Sequence, residues 1–487
     1  MSKLRALASQ TMVYGVSTIL GRLLNFALFP IFSYLLDGTS DLGVVSSLYG
    51  YVALLNVLCT MGMETTFFFY ANKVSEEKAF RNALTIILAS SGIISLGLFI
   101  GAPFIDSIQH TNHPEYYRLI AGMLLFDALA ILPFARMRIR NQAKKFALLK
   151  FLNIIIYVAL NLLFLLGCTY WADNATFGQY FNPEQKVFYI FLSNFVASAV
   201  ILLVVLKEYR GYKPAFDGAS MNALLKYSWP LIMVGIAAWV NENMDKSILE
   251  KLVPGTVEEG YSQTGIYGAV YKLSIAMALV VQAFKFAAEP FFFGIQKDKD
   301  AKETYALVLK WFVIVECLVF LGVTLNLDVI LLLLEEQFRV GKAVVPIVLL
   351  GQLFLGIYYN LSIWYKLTEK TIWGLYISLF GAAITIVLLF TLVPSIGYMG
   401  AAWATLASFF AMMMLSFYQG RKHYPVPYDY KSIVLYISLS VVFWLVFSGA
   451  ELQGLAQQSV VAATLIIIFA AFVWAVEKPR KLLLLRK

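Results

Sequence analysis

Residues 224–252 read LLKYSWPLIMVGIAAWVNENMDKSILEKL, and residues 264–294 read TGIYGAVYKLSIAMALVVQAFKFAAEPFFFG. These are two apolar runs, each long enough to cross a bilayer as a helix, separated by a short polar break. The same pair occurs near the N-terminus, as LASQTMVYGVSTILGRLLNFALFPIFSYLL (7–36) and DLGVVSSLYGYVALLNVLCTMGMETTFFFYA (41–71). Gly15 precedes Arg22 by seven residues, and Gly235 precedes Glu242 by seven. Gly43 leads to Glu64-Thr-Thr-Phe-Phe-Phe, and Gly265 leads to Glu289-Pro-Phe-Phe-Phe. Each copy is an apolar hairpin with an ionisable group deep in its first helix and a Glu before a Phe triplet ending its second. A duplicated apolar hairpin with buried charge predicts a two-lobed membrane transporter rather than an enzyme.

The whole chain has the same character. Of its 487 residues 60% are hydrophobic and only 14% charged, with a mean hydropathy of +0.75. Soluble domains carry about a quarter charged residues, and a water-facing surface cannot be built from this composition. The strand-sized alternation of a membrane β-barrel is absent. Lys3 and Arg5 ahead of an apolar run resemble a signal peptide, but the run is too long and Arg22 interrupts it, so it reads as a retained first helix. Cys59, Cys168 and Cys317 fall in or at the edge of apolar runs and imply neither a disulfide framework nor a metal site. His110 and His113 have a ligand-like spacing, but no third histidine or carboxylate cluster accompanies them.

Fourteen helical spans are predicted, centred on 11–36, 42–70, 82–105, 116–137, 146–170, 187–207, 226–249, 263–288, 305–326, 343–366, 371–393, 397–418, 431–449 and 459–476. The ninth is the least clean, because Asp328 and ILLLLEE after it fit a short interfacial helix. With both termini cytoplasmic, the inside segments collect Lys3 and Arg5, Lys73, Lys78 and Arg81, the basic run from Arg136 to Lys150, Lys207 to Lys213, Lys226, Lys297 to Lys302, Lys366 and Lys370, Arg421 to Lys431 and the C-terminal tail. The outside segments hold only Arg118, Lys186, Lys246, Lys251, Arg339 and Lys342. The formal charge of +9 is therefore the positive-inside rule at work, not a nucleic-acid surface.

The duplication extends past the hairpins. Arg138-Ile-Arg140 with Lys145 ends the fourth span, and Tyr365-Lys366 with Lys370 ends the tenth. The sixth runs out as Glu208-Tyr-Arg-Gly-Tyr-Lys-Pro214 and the twelfth as Tyr418-Gln-Gly-Arg-Lys-His-Tyr-Pro425. Spans 1–6 and 7–12 thus read as parallel repeats. The expected division is 1–215 for the N-terminal lobe, 216–425 for the C-terminal lobe, and 426–487 for an added helix pair with a basic tail.

This order of features resembles the multidrug/oligosaccharidyl-lipid/polysaccharide exporter superfamily, and within it the O-antigen-type oligosaccharide flippases. The residues that carry the resemblance are Gly21-Arg22 with Asn25-Phe26 and Pro30, Gly62-Met-Glu-Thr-Thr-Phe, Glu242-Asn-Met-Asp-Lys246, Tyr271-Lys272-Leu, Glu289-Pro290, Gly356-Ile-Tyr-Tyr-Asn-Leu361, Lys366-Leu-Thr and Gly397-Tyr-Met-Gly-Ala-Ala. The resemblance implies an all-α polytopic fold of two six-helix lobes facing a central cavity. It also implies movement of undecaprenyl-pyrophosphate-linked sugar repeat units across the bacterial inner membrane, for O-antigen or other surface polysaccharide assembly. Lipid-linked oligosaccharide, anionic membrane lipids and polysaccharide polymerase machinery are the partners implied, with no nucleic acid. No cofactor is expected beyond a coupling ion, H+ or Na+.

Ionisable groups inside lipid normally face a bundle interior or a wet cavity. Arg22 and Lys272 lie near mid-depth of their spans and are read as cavity cations for pyrophosphate or an acidic sugar, with Lys246 as a further candidate. The alternatives are packing against Glu64 for Arg22, pairing with Glu242 for Lys272, and a local i,i+4 pair between Glu242 and Lys246. Glu64, Asp127, Glu242, Asp245, Glu289 and Glu316 are candidates for ion coupling or gating, with Pro290 after Glu289 marking a hinge. Arg136, Arg138 and Arg140 are candidates for docking pyrophosphate at the cytoplasmic mouth, against the plainer reading of anionic-lipid contact.

Three rivals stand beside the flippase. A cation-coupled drug or metabolite antiporter favours acids and aromatics in its cavity, whereas Arg22 and Lys272 favour an anion. A lipid II flippase calls for several arginines at depth in the first lobe, where only Arg22 occurs. A membrane polysaccharide polymerase or ligase needs a large outer loop, and none is evident.

Overall fold

In lipid every backbone N–H and C=O has to be satisfied within the segment or by a neighbour, and a continuous helix does this at each residue. A computed structural model of the protein describes residues 21–484 apart from 22, 25, 74, 175, 177, 211–216, 451 and 453; the side chains at 72, 286, 287, 289, 290 and 478–484 are not described. Among the described residues the regular structure is entirely helical. The chain is a multi-pass membrane protein. Among the described residues twelve helices are long and apolar enough to cross a membrane, and a bent pair covering 257–285 makes thirteen. These correspond one to one with the second to fourteenth expected spans. The first expected span, 11–36, lies mostly outside the described residues; its described end is α1 (Phe26–Leu35).

The helices divide into two compact units, one reaching to Gly268 and the other starting at Ala269. The first contains α2 (Thr39–Thr60), α3 (Met63–Lys73), α4 (Glu76–Ile100), α5 (Ala102–Gln109), α6 (Pro114–Ile139), α7 (Ala143–Tyr170), α8 (Lys186–Val205), α9 (Gly218–Glu242), α10 (Met244–Leu252) and most of α11 (Val257–Lys272). Here α4 packs on α6, α6 on α8, and α7 on α8, while α9 and α10 lie against α2. Side chains cap two of the helix starts: Ser75 accepts from the Lys78 amide at the start of α4, and Asp217 accepts from the Ser220 amide at the start of α9.

Small residues let α2 meet its neighbours at backbone distance, the packing that helices use where no hydrophobic drive separates them from lipid. A Cβ on Gly43 would lie 1.8 Å from the Tyr261 carbonyl oxygen, and one on Gly265 would lie 1.8 Å from that of Thr39. Beside this contact Thr39 Oγ1 and Ser262 Oγ are 2.6 Å apart. Further along α2, Trp239 Nε1 donates to the Gly50 carbonyl at 2.7 Å.

The second unit contains α12 (Ile275–Ile295), α13 (Ala301–Thr324), α14 (Leu327–Ile330), α15 (Val344–Leu361), α16 (Ile363–Leu367), α17 (Ile372–Ile396), α18 (Tyr398–His423), α19 (Tyr430–Ser448) and α20 (Gly454–Leu484). Its packing order repeats that of the first: α13 on α15, α15 on α18, and α17 on α18. The short α14 and the turns after it occupy the stretch expected to be interfacial. Between α17 and α18, Gly397 takes φ +58° and ψ −141°, which side chains rarely adopt, and Gly400 sits against the Leu392–Val393 backbone. The Gly397-Tyr-Met-Gly motif is thus a turn of minimal length. α19 and α20 pack on α13, with Phe320 edge-on to Trp444 and the Cys317 and Ser440 side chains hydrogen-bonded.

Three expected helices are interrupted. The second span turns at Met61 and Gly62, both at positive φ (47° and 65°), before α3 begins. The seventh breaks at Asn243, between α9 and α10. The eighth bends by 53° between Lys272 and Ile275, whereas α12 runs past position 290 without a break. The bend therefore falls some fifteen residues before the proline that marked the expected hinge.

Candidate functional site

One group of polar side chains in the first unit connects α2, α3, α6, α7 and α8. At the end expected to be cytoplasmic, Arg138 Nη1 donates to Glu64 Oε1 at 2.6 Å, with its guanidinium over the Phe68 ring. Deeper in, Lys150 on α7 lies within electrostatic reach of both Glu64 and Asp127, and its ammonium sits 4.4 Å from the Phe134 ring centroid. Asp127 is bonded to the buried Ser198 hydroxyl of α8 and remains accessible from the surface. Arg138 and Asp127 are eleven residues apart on α6, roughly 16 Å along the helix. One helical turn before Ser198, Asn194 Nδ2 donates to the Tyr49 hydroxyl at 3.0 Å, and Tyr49 is bonded in turn to Tyr157. Two carboxylates, two cations and a phenol–amide pair therefore line one continuous seam, with positive and negative charge alternating along it.

The other two arginines of the 136–140 cluster are held by carboxylate as well. Arg136 is buried, donates from Nε to Glu76 Oε1 at 2.6 Å and from Nη1 to the Glu208 carbonyl at 2.8 Å, and covers the Phe80 ring. Arg140 shares the same Glu76 oxygen, its Nη2 lying 2.7 Å away. Lys145 pairs with Glu208. Arg136 thus ties α4, α6 and the end of α8 together, while the half-exposed Arg138 and Arg140 keep accessible guanidinium edges.

A second constellation sits where α10 begins. Asp245 is buried, and accepts from Tyr267 OH at 2.6 Å and from Lys246 Nζ at 2.8 Å. Lys246 also donates to the Glu242 carbonyl at 2.8 Å. The i,i+4 contact between positions 242 and 246 is present through that carbonyl, and Asp245 is a carboxylate partner of the lysine.

In the second unit, Lys272 is exposed at the end of α11, beside the bend, and its neighbour Tyr271 accepts from Gln352 Nε2 at 3.1 Å. Lys285, thirteen residues on, is also exposed and lies 4.3 Å from the Tyr359 ring centroid. Glu316 is fully buried in α13, and neither carboxyl oxygen has a hydrogen-bond partner among the described residues. Lys310, six residues earlier on α13, reaches Glu477 at 2.6 Å and Asp429 at 3.6 Å, and Tyr436 OH donates to the other Glu477 oxygen. Arg22 and the Glu289 side chain lie outside the described residues.

The structure brings Glu64, Asp127 and Arg138 into one seam, and groups Glu242, Asp245 and Lys246 in another. Lys150, Lys285 and Lys310 were missed as site residues. Lys150 counts among the inside charges of the basic run, yet it stands two turns into α7, beside Phe134 and within reach of Asp127. Lys285 stands in QAFKFAAEP, inside an apolar run, which was the signal available. Among the described residues no group of three or more His, Cys, Asp or Glu side chains is placed to hold a metal ion.

The polysaccharide biosynthesis protein family matches residues 7–296, more than half of the chain, and the MatE family matches residues 260–391. No curated protein sequence matches significantly. Among solved structures, the fold is similar to an inward closed conformation of the lipid II flippase MurJ, with a TM-score of 0.72 at 14% identity over 95% of this chain and 99% of that one. It is also similar to an inward-facing multidrug resistance MATE family transporter of the MOP superfamily, with a TM-score of 0.62 at 13% identity, covering 82% of this chain and 94% of that one. The MATE multidrug transporter DinF-BH gives a TM-score of 0.60 at 15% identity, over 87% and 96% of the two chains. The fold is that of membrane transporters.

Proposed function

This chain belongs to the polysaccharide biosynthesis protein family, and on that premise we propose that it is a flippase for undecaprenyl-pyrophosphate-linked oligosaccharide in a bacterial inner membrane. In this reading both termini are cytoplasmic, and the protein works by alternating access of two six-helix repeats, 1–215 and 216–425, with 426–487 alongside. The family match over residues 7–296 carries the reading, and the basic groups support it. Arg138 and Arg140 offer accessible guanidinium edges at the cytoplasmic mouth, and Lys272 and Lys285 present ammonium groups on α11 and α12. Guanidinium matches phosphate oxygens in pairs, while lysine supplies a point charge. Arg22 and Lys272 are assigned to the pyrophosphate and Asp127 to ion coupling.

Drug antiport is the second reading, favoured by the Asp127–Ser198 pair and by the MatE match. Proteoliposomes holding undecaprenyl-pyrophosphate oligosaccharide separate the two. The protein is expected to expose the sugar to an external glycosidase, and Arg22→Glu and Lys272→Ala each to slow this at least tenfold at normal protein levels. Exchange of a cationic dye against protons, with no movement of the lipid-linked sugar, would sink the flippase and leave the antiporter.

A further inference from the structure

Another carboxyl, apart from the seam already described, is enclosed near the opposite end of the first unit. Glu250, in the last turn of α10, is 8% exposed. Its Oε1 accepts from Ser47 Oγ of α2 at 3.0 Å, and its Oε2 has no hydrogen-bond partner among the described residues. The backbone closes in as well, since a Cβ on Gly260 would lie 2.3 Å from the Glu250 carbonyl oxygen. Three tyrosines lie within electrostatic reach of the carboxyl, Tyr51 of α2, Tyr117 of α6 and Tyr261 of α11, and the Gln109 side chain of α5 is bonded to Tyr51. Tyr261 OH donates to the Gln109 carbonyl at 2.7 Å, and Gln109 Oε1 is a second buried oxygen without a partner among the described residues.

The charged groups around this cage are few. Lys251, next along α10, lies over the Tyr51 ring at 5.5 Å from its centroid and weakly favours the carboxylate. Asp106 of α5 faces Tyr117 and Tyr261, and is occupied by the Thr111 hydroxyl and the His113 amide. Among the described residues no cation pairs with Glu250. A carboxylate deprived of water, with one oxygen bare, is stabilised most directly by taking up a proton, which also turns that oxygen into a donor.

We propose that Glu250 and its tyrosine-lined cage form a proton-binding site, filled while α2, α10 and α11 are packed together and emptied when they part. Burial pushes this carboxyl up from its ordinary 4.5 to about 7, with its own backbone amide, the Ser47 bond and Lys251 pulling it back only in part. The sign follows from linkage. The packed state holds the proton more tightly than the parted one, so packing is favoured at low pH and weakens as pH rises from about 4.5 to about 7. The role of helix separation rests on the alternating-access reading; the proton site itself does not.

A disulfide between Thr39→Cys and Ser262→Cys, whose native oxygens are 2.6 Å apart, holds α2 and α11 together. Infrared difference spectra of this locked full-length protein, titrated with acid, are expected to show a carboxylic C=O band with a midpoint near pH 7, absent after Glu250→Gln. Ser47→Ala removes a donor to the charged form and is expected to raise the midpoint, which identifies the band even if Glu250→Gln folds poorly. Gly43→Leu, which wedges α2 from α11, is expected to lower it by up to about 2.5 units. A band titrating near 4.5 in the locked protein, or one insensitive to Ser47→Ala, overturns the site. A midpoint unmoved by Gly43→Leu overturns its dependence on packing. No transported substrate enters the measurement, so failure of the flippase reading leaves its outcome intact.

Discussion

Gly43 and Gly265 touch backbone to backbone: a Cβ on Gly43 would lie 3.1 Å from the Gly265 nitrogen, and one on Gly265 would lie 2.9 Å from the Gly43 nitrogen. The two glycines hold matching places in the paired hairpins of the sequence, and the structure brings them into contact. The contact admits no side chain, because the atoms in the way are backbone and cannot swing aside.

Gly43→Ala or Gly265→Ala is accordingly expected to destabilise the packed form by about 1–3 kcal/mol, the usual penalty for overfilling a tight contact. A lowered thermal midpoint in detergent reads this directly. Gly92→Ala is the control, since a Cβ there meets nothing within 4 Å and alanine favours helix by about 1 kcal/mol. Equal midpoints for Gly43→Ala and the parent protein would show that α2 and α11 do not rely on this contact.

The pair Glu64–Arg138 separates function from stability. Its side chains are 36% and 44% exposed, and pairs this open contribute about 1 kcal/mol or less. Glu64→Gln is expected to leave the unfolding midpoint unchanged while slowing transport several-fold. The exchange Glu64→Arg with Arg138→Glu should not restore it, because an arginine at 64 faces Lys150, which now senses the glutamate. Full recovery in the exchanged protein would mean that the pair acts alone and the seam is not a functional unit.

Lys310 presents the opposite case. It and Glu477 are 8% and 6% exposed, so the pair is dry. Removing one partner of a buried pair strands the other, and Lys310→Met is expected to lose about 3–5 kcal/mol. Lys310→Met with Glu477→Met should regain most of it, leaving Tyr436 and Asp429 to find new contacts. Were the double variant no more stable than the single one, the network around Glu477 would be holding α19 and α20 by something other than charge pairing.

Hydropathy, loop charge and the repeated hairpin were enough to read the all-helical membrane fold class and thirteen described spans from the chain alone. Each is a one-dimensional property: a helix crosses lipid because its own residues are apolar and its own backbone is satisfied. The spans expected at 42–70 and 263–288 are where helices stand, but the sequence marks no break inside either, only a hinge at Pro290. Met61 and Gly62 interrupt one, and the bend at Lys272–Ile275 interrupts the other while Pro290 does not. Tertiary structure alone decided which charges meet. Arg138 finds Glu64 across 74 residues, Ser47 finds Glu250 across 203, and Lys310 finds Glu477 across 167. Whether a titratable group is paired, bare or wet depends on the helices brought beside it, and no spacing along a single helix encodes that. Glu250 illustrates the limit: its sequence neighbours describe an ordinary acid near a turn, and only the faces of α2, α5, α6 and α11 make it a carboxyl with nowhere to put its charge.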